Sequence, residues 1–60
     1  MEVIAYMKNG DRKEWIHILS IKESIQLISD YYLNVIEVVP LEGSHSFIDK
    51  SKLERLVVKP

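Results

Sequence analysis

The chain has no cysteine, and its sixty residues include only two histidines, two glycines, two prolines and one tryptophan. Without thiols, disulfides and thiolate metal sites are excluded. Two histidines are too few for a multi-histidine zinc site in one chain, so no metal and no cofactor is expected. Neither sign of charge is in surplus: eight basic against nine acidic side chains leave a formal charge of −1. That balance argues against binding to long nucleic acid, which favours a basic face. No apolar run approaches the length of a membrane span. Met1-Glu2-Val3-Ile4 shows neither a basic n-region nor a small-residue cleavage site, which argues against a signal peptide. The expected location is the cytoplasm, away from membranes. Catalytic signatures are missing too: there is no phosphate loop, no glycine-rich dinucleotide fingerprint, no HExxH and no G-x-S-x-G. The expectation is a protein that binds rather than catalyses, not an enzyme.

Apolar residues are plentiful. Leu, Ile, Val and Phe supply 21 of the 60 positions, too many for a disordered chain, and fourteen of them are Ile or Val, which favours strands. Sixty residues make one domain, 1–60, with a core of marginal size. Small domains add disulfides, a metal or a partner. With the first two excluded, self-association into a homo-oligomer is expected.

Along the chain, residues 2–8 read as a strand. Asn9-Gly10, with Asp11 extending it, is a hairpin signal, and residues 13–19 read as the returning strand. A two- or four-residue loop places Val3, Ala5 and Met7 on one face with Ile16 and Ile18. The other face then carries Ile4 and Tyr6 with Trp15, His17 and Leu19. Ser20-Ile21-Lys22-Glu23 forms a capping box, and Ile21, Ile25, Ile28 and Tyr32 follow at helical spacing, widened by Leu27 and Tyr31. This predicts a helix over 21–33 that stops at Asn34. Residues 35–39 read as a strand ended by Pro40, and Phe47-Ile48 as a short extended piece. Residues 49–52 read as a turn, with a helical turn over 49–55 as the alternative, and 53–59 as the last strand. The fold class expected is α+β: a small antiparallel sheet of order β-β-α-β-β, with a possible fifth short strand, and one helix packed on one face. The uncovered apolar face or an edge strand would then meet a second copy, by sheet packing or sheet extension.

The candidate ligand-binding residues are Tyr6, Arg12, Lys13, Trp15, His17 and the loop Gly43-Ser44-His45-Ser46. Tyr6 and Trp15 are rings that can stack on a base. Arg12 and Lys13 can hold phosphate. Gly43 lets the backbone approach a ligand, while the Ser44 and Ser46 hydroxyls, His45 and successive loop amides offer donors. Plain structural roles compete for each: a partly buried His17, a solvated loop, charges that guard an edge strand, and rings in core or subunit interface. The pattern supports a protein that holds a small anionic ligand such as a nucleotide between copies of itself. The alternative is an inhibitor or adaptor that docks on a host protein through its apolar face or an edge strand. A nucleic-acid regulator ranks third, because the charge balance disfavours it.

Over its whole length the chain resembles the very short proteins of phages and prophages of Gram-positive bacteria. The features are a strand, the Lys8-Asn9-Gly10 turn, a second strand, a capped helix and the final segment Phe47-Ile48-Asp49-Lys50-Ser51-Lys52-Leu53. Some such phage proteins counter bacterial immunity, by sequestering a cyclic nucleotide signal or by blocking a defence protein. The resemblance implies that anti-defence role and no residue-level correspondence.

Overall fold

A computed structural model describes all residues, 1–60. It contains six strands: β1 (Glu2–Met7), β2 (Arg12–Trp15), β3 (Ile18–Ile28), β4 (Tyr31–Pro40), β5 (Ser46–Asp49) and β6 (Leu53–Lys59). A single 3₁₀ turn, Lys50–Lys52, precedes β6. The strands form two antiparallel three-stranded sheets, ordered β2-β1-β6 and β3-β4-β5. The fold is therefore all-sheet, not α+β. The expected helix over 21–33 is replaced by the β3–β4 hairpin.

The reason lies in residues 20–34. Ile21, Ile25 and Ile28 are β-branched, and β-branched side chains lose rotamer freedom in a helix but fit a pleated surface. A helix of about thirteen residues is marginal without a face to cover. Here β3 instead pairs along its length with β4, from Ser20 opposite Val39 to Ile28 opposite Tyr31. Ser29 and Asp30 turn the chain with φ of 43° and 67°. Two consecutive positive φ values are those of a type I′ hairpin turn. The capping box is dissolved: Ser20 lies in the strand, and Glu23 bonds Lys50 Nζ at 2.9 Å. Asn34 stands within β4, opposite Ile25.

The first hairpin forms where expected but with a three-residue loop, Lys8-Asn9-Gly10. Met7 N–H donates to Asp11 O at 2.8 Å, and Gly10 N–H to Met7 O at 3.0 Å. Gly10 takes φ of 94°, the left-handed position that closes such loops. Asn9 Oδ1 accepts from Asp11 N–H at 2.9 Å and stiffens the turn. An odd loop shifts the register by one residue and exchanges the faces of β2. Val3 lies opposite Trp15, and Tyr6 opposite Arg12. Trp15 therefore shares the inward face with Val3, Ala5 and Met7, contrary to the partition expected from a two- or four-residue loop.

The strand expected over 13–19 is also broken. At Ile16-His17 the chain leaves the first sheet, with His17 at φ 56°, and Ile18 opens β3 in the second. The Met1 ammonium donates to Ile18 O at 3.1 Å, and Ile18 N–H to Met1 O at 2.9 Å, so the two sheets are joined at this corner. Sheets joined by a strand that switches between them are a known way to close a small core.

That core holds Val3, Ala5, Ile18, Ile36, Val38 and Ile48, with Met7, Trp15, Ile21, Leu53 and Leu56 packed around it. Only eight of sixty residues are buried and none is polar. The last strand, Leu53–Lys59, lies where it was expected and pairs with β1. Asp49 caps the 3₁₀ turn, accepting from Ser51 N–H at 2.9 Å and Ser51 Oγ at 2.8 Å. These bonds hold the Asp49 carboxyl below its ordinary pKa. No helix is long and apolar enough to cross a membrane.

Candidate functional site

Three polar clusters arise from this topology. The first lies on the outward face of the first sheet. Tyr6 sits between Arg12 of β2 and Arg55 of β6, its register partners on either side. The Arg55 guanidinium carbon lies 4.4 Å from the ring centroid and that of Arg12 5.9 Å. Both are within cation–π range. Arg12, within reach of the phenol oxygen, draws the Tyr6 pKa below its ordinary value. Arg12 also bonds Glu14 Oε2 at 2.9 Å. The ring face is thus covered by guanidinium, and Arg12 is already neutralised.

The second cluster is on the second sheet. Glu37, in the middle of β4, has its Oε1 2.8 Å from His45 Nδ1 and its Oε2 3.6 Å from Lys22 Nζ. His45 comes from the β4–β5 loop, in which Gly43 adopts φ 97°. The loop's histidine is therefore engaged within the chain. The hydrogen bond from His45 outweighs the burial that opposes it and, with a lesser contribution from the Lys22 charge, lowers the Glu37 pKa.

The third cluster is an open groove of about 450 Å³ between the β1–β2 loop and the 3₁₀ turn. Its walls are Met7, Lys8, Asn9, Asp11, Lys13, Ser51 and Lys52. The Lys8 N–H donates to Lys52 O at 2.9 Å and ties the two walls together. Lys8, Lys13 and Lys52 take part in none of the chain's ion pairs, which involve Arg12, Lys22, Lys50 and His45. Asp11, the groove's one acid, accepts from Asn9 Nδ2 at 3.0 Å. Three lysines outside any ion pair, against one aspartate, give this groove a positive balance on a chain whose net charge is −1.

The nine residues expected to bind ligand do not converge within one chain. Tyr6 and Arg12 meet on the outward face. Lys13 joins the lysine groove, and Trp15 points into the core. His17 is exposed at the bend, its carbonyl accepting from Leu41 N–H at 2.9 Å. Gly43 and Ser44 are exposed, His45 turns to Glu37, and Ser46 begins β5 opposite Val38. In the sequence Lys8 lies near Arg12 and Lys13 at the hairpin tip, and Lys52 and Arg55 lie in a basic C-terminal segment, two patches that could each hold phosphate. Their grouping depends on the β1–β6 pairing, which joins the two ends of the chain.

No protein-family model matches the chain, and comparisons with curated proteins and with solved structures find no match either. No group of three or more His, Asp or Glu side chains comes together that could hold a metal ion.

Proposed function

We propose that this chain is a non-catalytic cytoplasmic binding protein that sequesters a small phosphate-bearing anion in the lysine groove. The observation that carries this reading is the convergence of Lys8, Lys13 and Lys52, none of them ion-paired, on one concavity. An anion entering there displaces no internal salt bridge. Ammonium groups are point charges suited to phosphate oxygens, and the second N–H of the Asn9 side-chain amide adds a donor. The volume, about 450 Å³, is within the range of small-molecule sites. The resemblance to short phage proteins supports a nucleotide-derived signal of bacterial immunity as the ligand class, and hence an anti-defence role. Trp15 is not the stacking ring in this reading.

The test is native mass spectrometry of the purified protein with a panel of ATP and cyclic mono- and dinucleotides, followed by calorimetry on any nucleotide retained. Each of Lys8→Ala, Lys13→Ala and Lys52→Ala should weaken binding about fivefold, the equivalent of roughly 1 kcal/mol for one exposed charged donor. The ligand should be recovered chemically intact. Retention of no nucleotide, or unchanged affinity in the triple variant, sinks the proposal.

A further inference from the structure

The β3–β4 hairpin runs on past the end of β5, which pairs only with Val35–Val38. Beyond that point Ile25, Leu27, Tyr31 and Tyr32 are more than half exposed and Ile28 is 38% exposed. Ile25, Leu27 and Tyr32 continue the face that carries Ile21, Ile36 and Val38 in the core. The accessible surface of the chain is 4392 Å², whereas a compact monomer of its 7.0 kDa mass is expected to show about 4,000 Å². The molecule measures 35 × 26 × 15 Å, long and flat for its mass.

The edge of this arm is undefended. β3 is the outer strand of its sheet and eleven residues long. Its stretch Ser24-Ile25-Gln26-Leu27-Ile28 has no charge, no proline and no bulge, the usual guards against edge pairing. In a two-residue hairpin, Ile28, Gln26, Ser24 and Lys22 direct their backbone groups to β4. Those of Leu27, Ile25, Glu23 and Ile21 face the open edge. Beside that edge a second groove, of about 260 Å³, is lined by Ile21, Lys22, Glu23, Ile36 and Leu56.

We propose that this arm is the interface with a second copy of the chain, formed by antiparallel β3–β3 pairing about a two-fold axis at Ser24. A protruding apolar tip and a receiving groove on one strand are the two halves of a self-complementary contact, and a two-fold axis uses both twice. This register sets Leu27 opposite Ile21 of the second copy, at its groove, and joins the two sheets into one of six strands. Ile25 and Leu27 lie on β3 beside the pairing edge, on one face with Ile21, whereas Tyr31 and Tyr32 belong to β4 and Ile28 faces the other side. The contact is carried by the backbone ladder along the open edge and by Ile21, Ile25 and Leu27 beside it. No arm residue lines the lysine groove, so this inference does not rest on the proposed ligand.

Analytical ultracentrifugation at about 100 μM, with a single-cysteine crosslink, tests it. The wild type should sediment as a dimer and Leu27→Lys as a monomer with unchanged Trp15 fluorescence. In the pairing proposed, the two Ser24 Cα atoms lie about 4.5 Å apart, within disulfide reach. Because the chain has no native cysteine, Ser24→Cys should crosslink to a covalent dimer on mild oxidation, at least tenfold faster than Ser44→Cys. A monomeric wild type, a dimer that survives Leu27→Lys, or equal crosslinking at both positions overturns the proposal. A monomer whose arm captures a foreign protein overturns it as well.

Discussion

His45 Nδ1 lies 2.8 Å from Glu37 Oε1, and this contact ties the β4–β5 loop to the middle of β4. The Glu37 side chain is 13% exposed, far less than its partners His45 and Lys22, at 48% and 61%. Its pKa is lowered in the folded state, first by the His45 hydrogen bond. A carboxylate with a depressed folded pKa stabilises the fold above its unfolded pKa, and that stability is lost as pH falls through the folded value. The urea midpoint should therefore fall as pH drops from about 5 toward 3, below the ordinary carboxylate range. Asp49, also lowered, contributes in the same direction. Glu37→Gln should flatten part of this acid slope, and a slope identical to that of the wild type would remove Glu37 as its source.

Trp15 provides a test of the first hairpin's register. Opposite Val3, it packs against the core. Trp15→Ala should cost about 2–3 kcal/mol, somewhat under the range for a fully buried aromatic because the ring is only half-buried. Arg55→Ala, which removes a cation from an exposed ring, should cost about 0.5 kcal/mol. Urea unfolding of both variants decides the matter. If Trp15→Ala unfolds no more readily than Arg55→Ala, the ring is not part of the core.

Gly10 closes the same hairpin at φ 94°, and a Cβ added there meets nothing within 4 Å. The cost of Gly10→Ala is then purely conformational, about 1–2 kcal/mol. Gly10→Asn should cost less, because Asn tolerates left-handed backbone. Equal thermal stability of the two variants would contradict the turn geometry.

Much of the strand pattern is legible because it is locally encoded. Leu53–Lys59 has an apolar centre at Leu56, Val57 and Val58 and is preceded by a turn, Val35–Val39 is β-branched but for Glu37, and Asn9-Gly10 marks its hairpin. The register of that hairpin is hidden, since Asn-Gly serves both two- and three-residue loops and one residue exchanges the faces. Residues 20–34 misread for a physical reason. Ile21, Ile25, Ile28 and Tyr32 fit a 3.6-residue period, while Ile21, Ile25 and Leu27, with polar Glu23 between, fit a two-residue period only imperfectly. What decides between them is a ladder to β4 that local spacing does not encode. The lysine groove is illegible in the same way, because Lys8 and Lys52 meet through contacts spanning almost the whole chain. Glu37 reads as one polar residue in an apolar strand, and nothing nearby marks His45 as its partner.

The turn that disguises the second hairpin can be rewritten to reveal it. Ser29 and Asp30 hold φ of 43° and 67°, and neither is the residue such a turn prefers. Asn at the first position and Gly at the second fit both dihedrals with less strain. The double substitution Ser29→Asn, Asp30→Gly should therefore stabilise the protein by about 1 kcal/mol, a rise of roughly 4–8 °C in Tm for a domain of this size. A helix over 21–33 makes the opposite demand, since glycine in its interior would cost about 1 kcal/mol relative to alanine. Circular dichroism melting separates the two by sign alone. A higher Tm with an undiminished strand spectrum supports the type I′ hairpin, whereas a lower Tm with loss of helical signal would restore the helix.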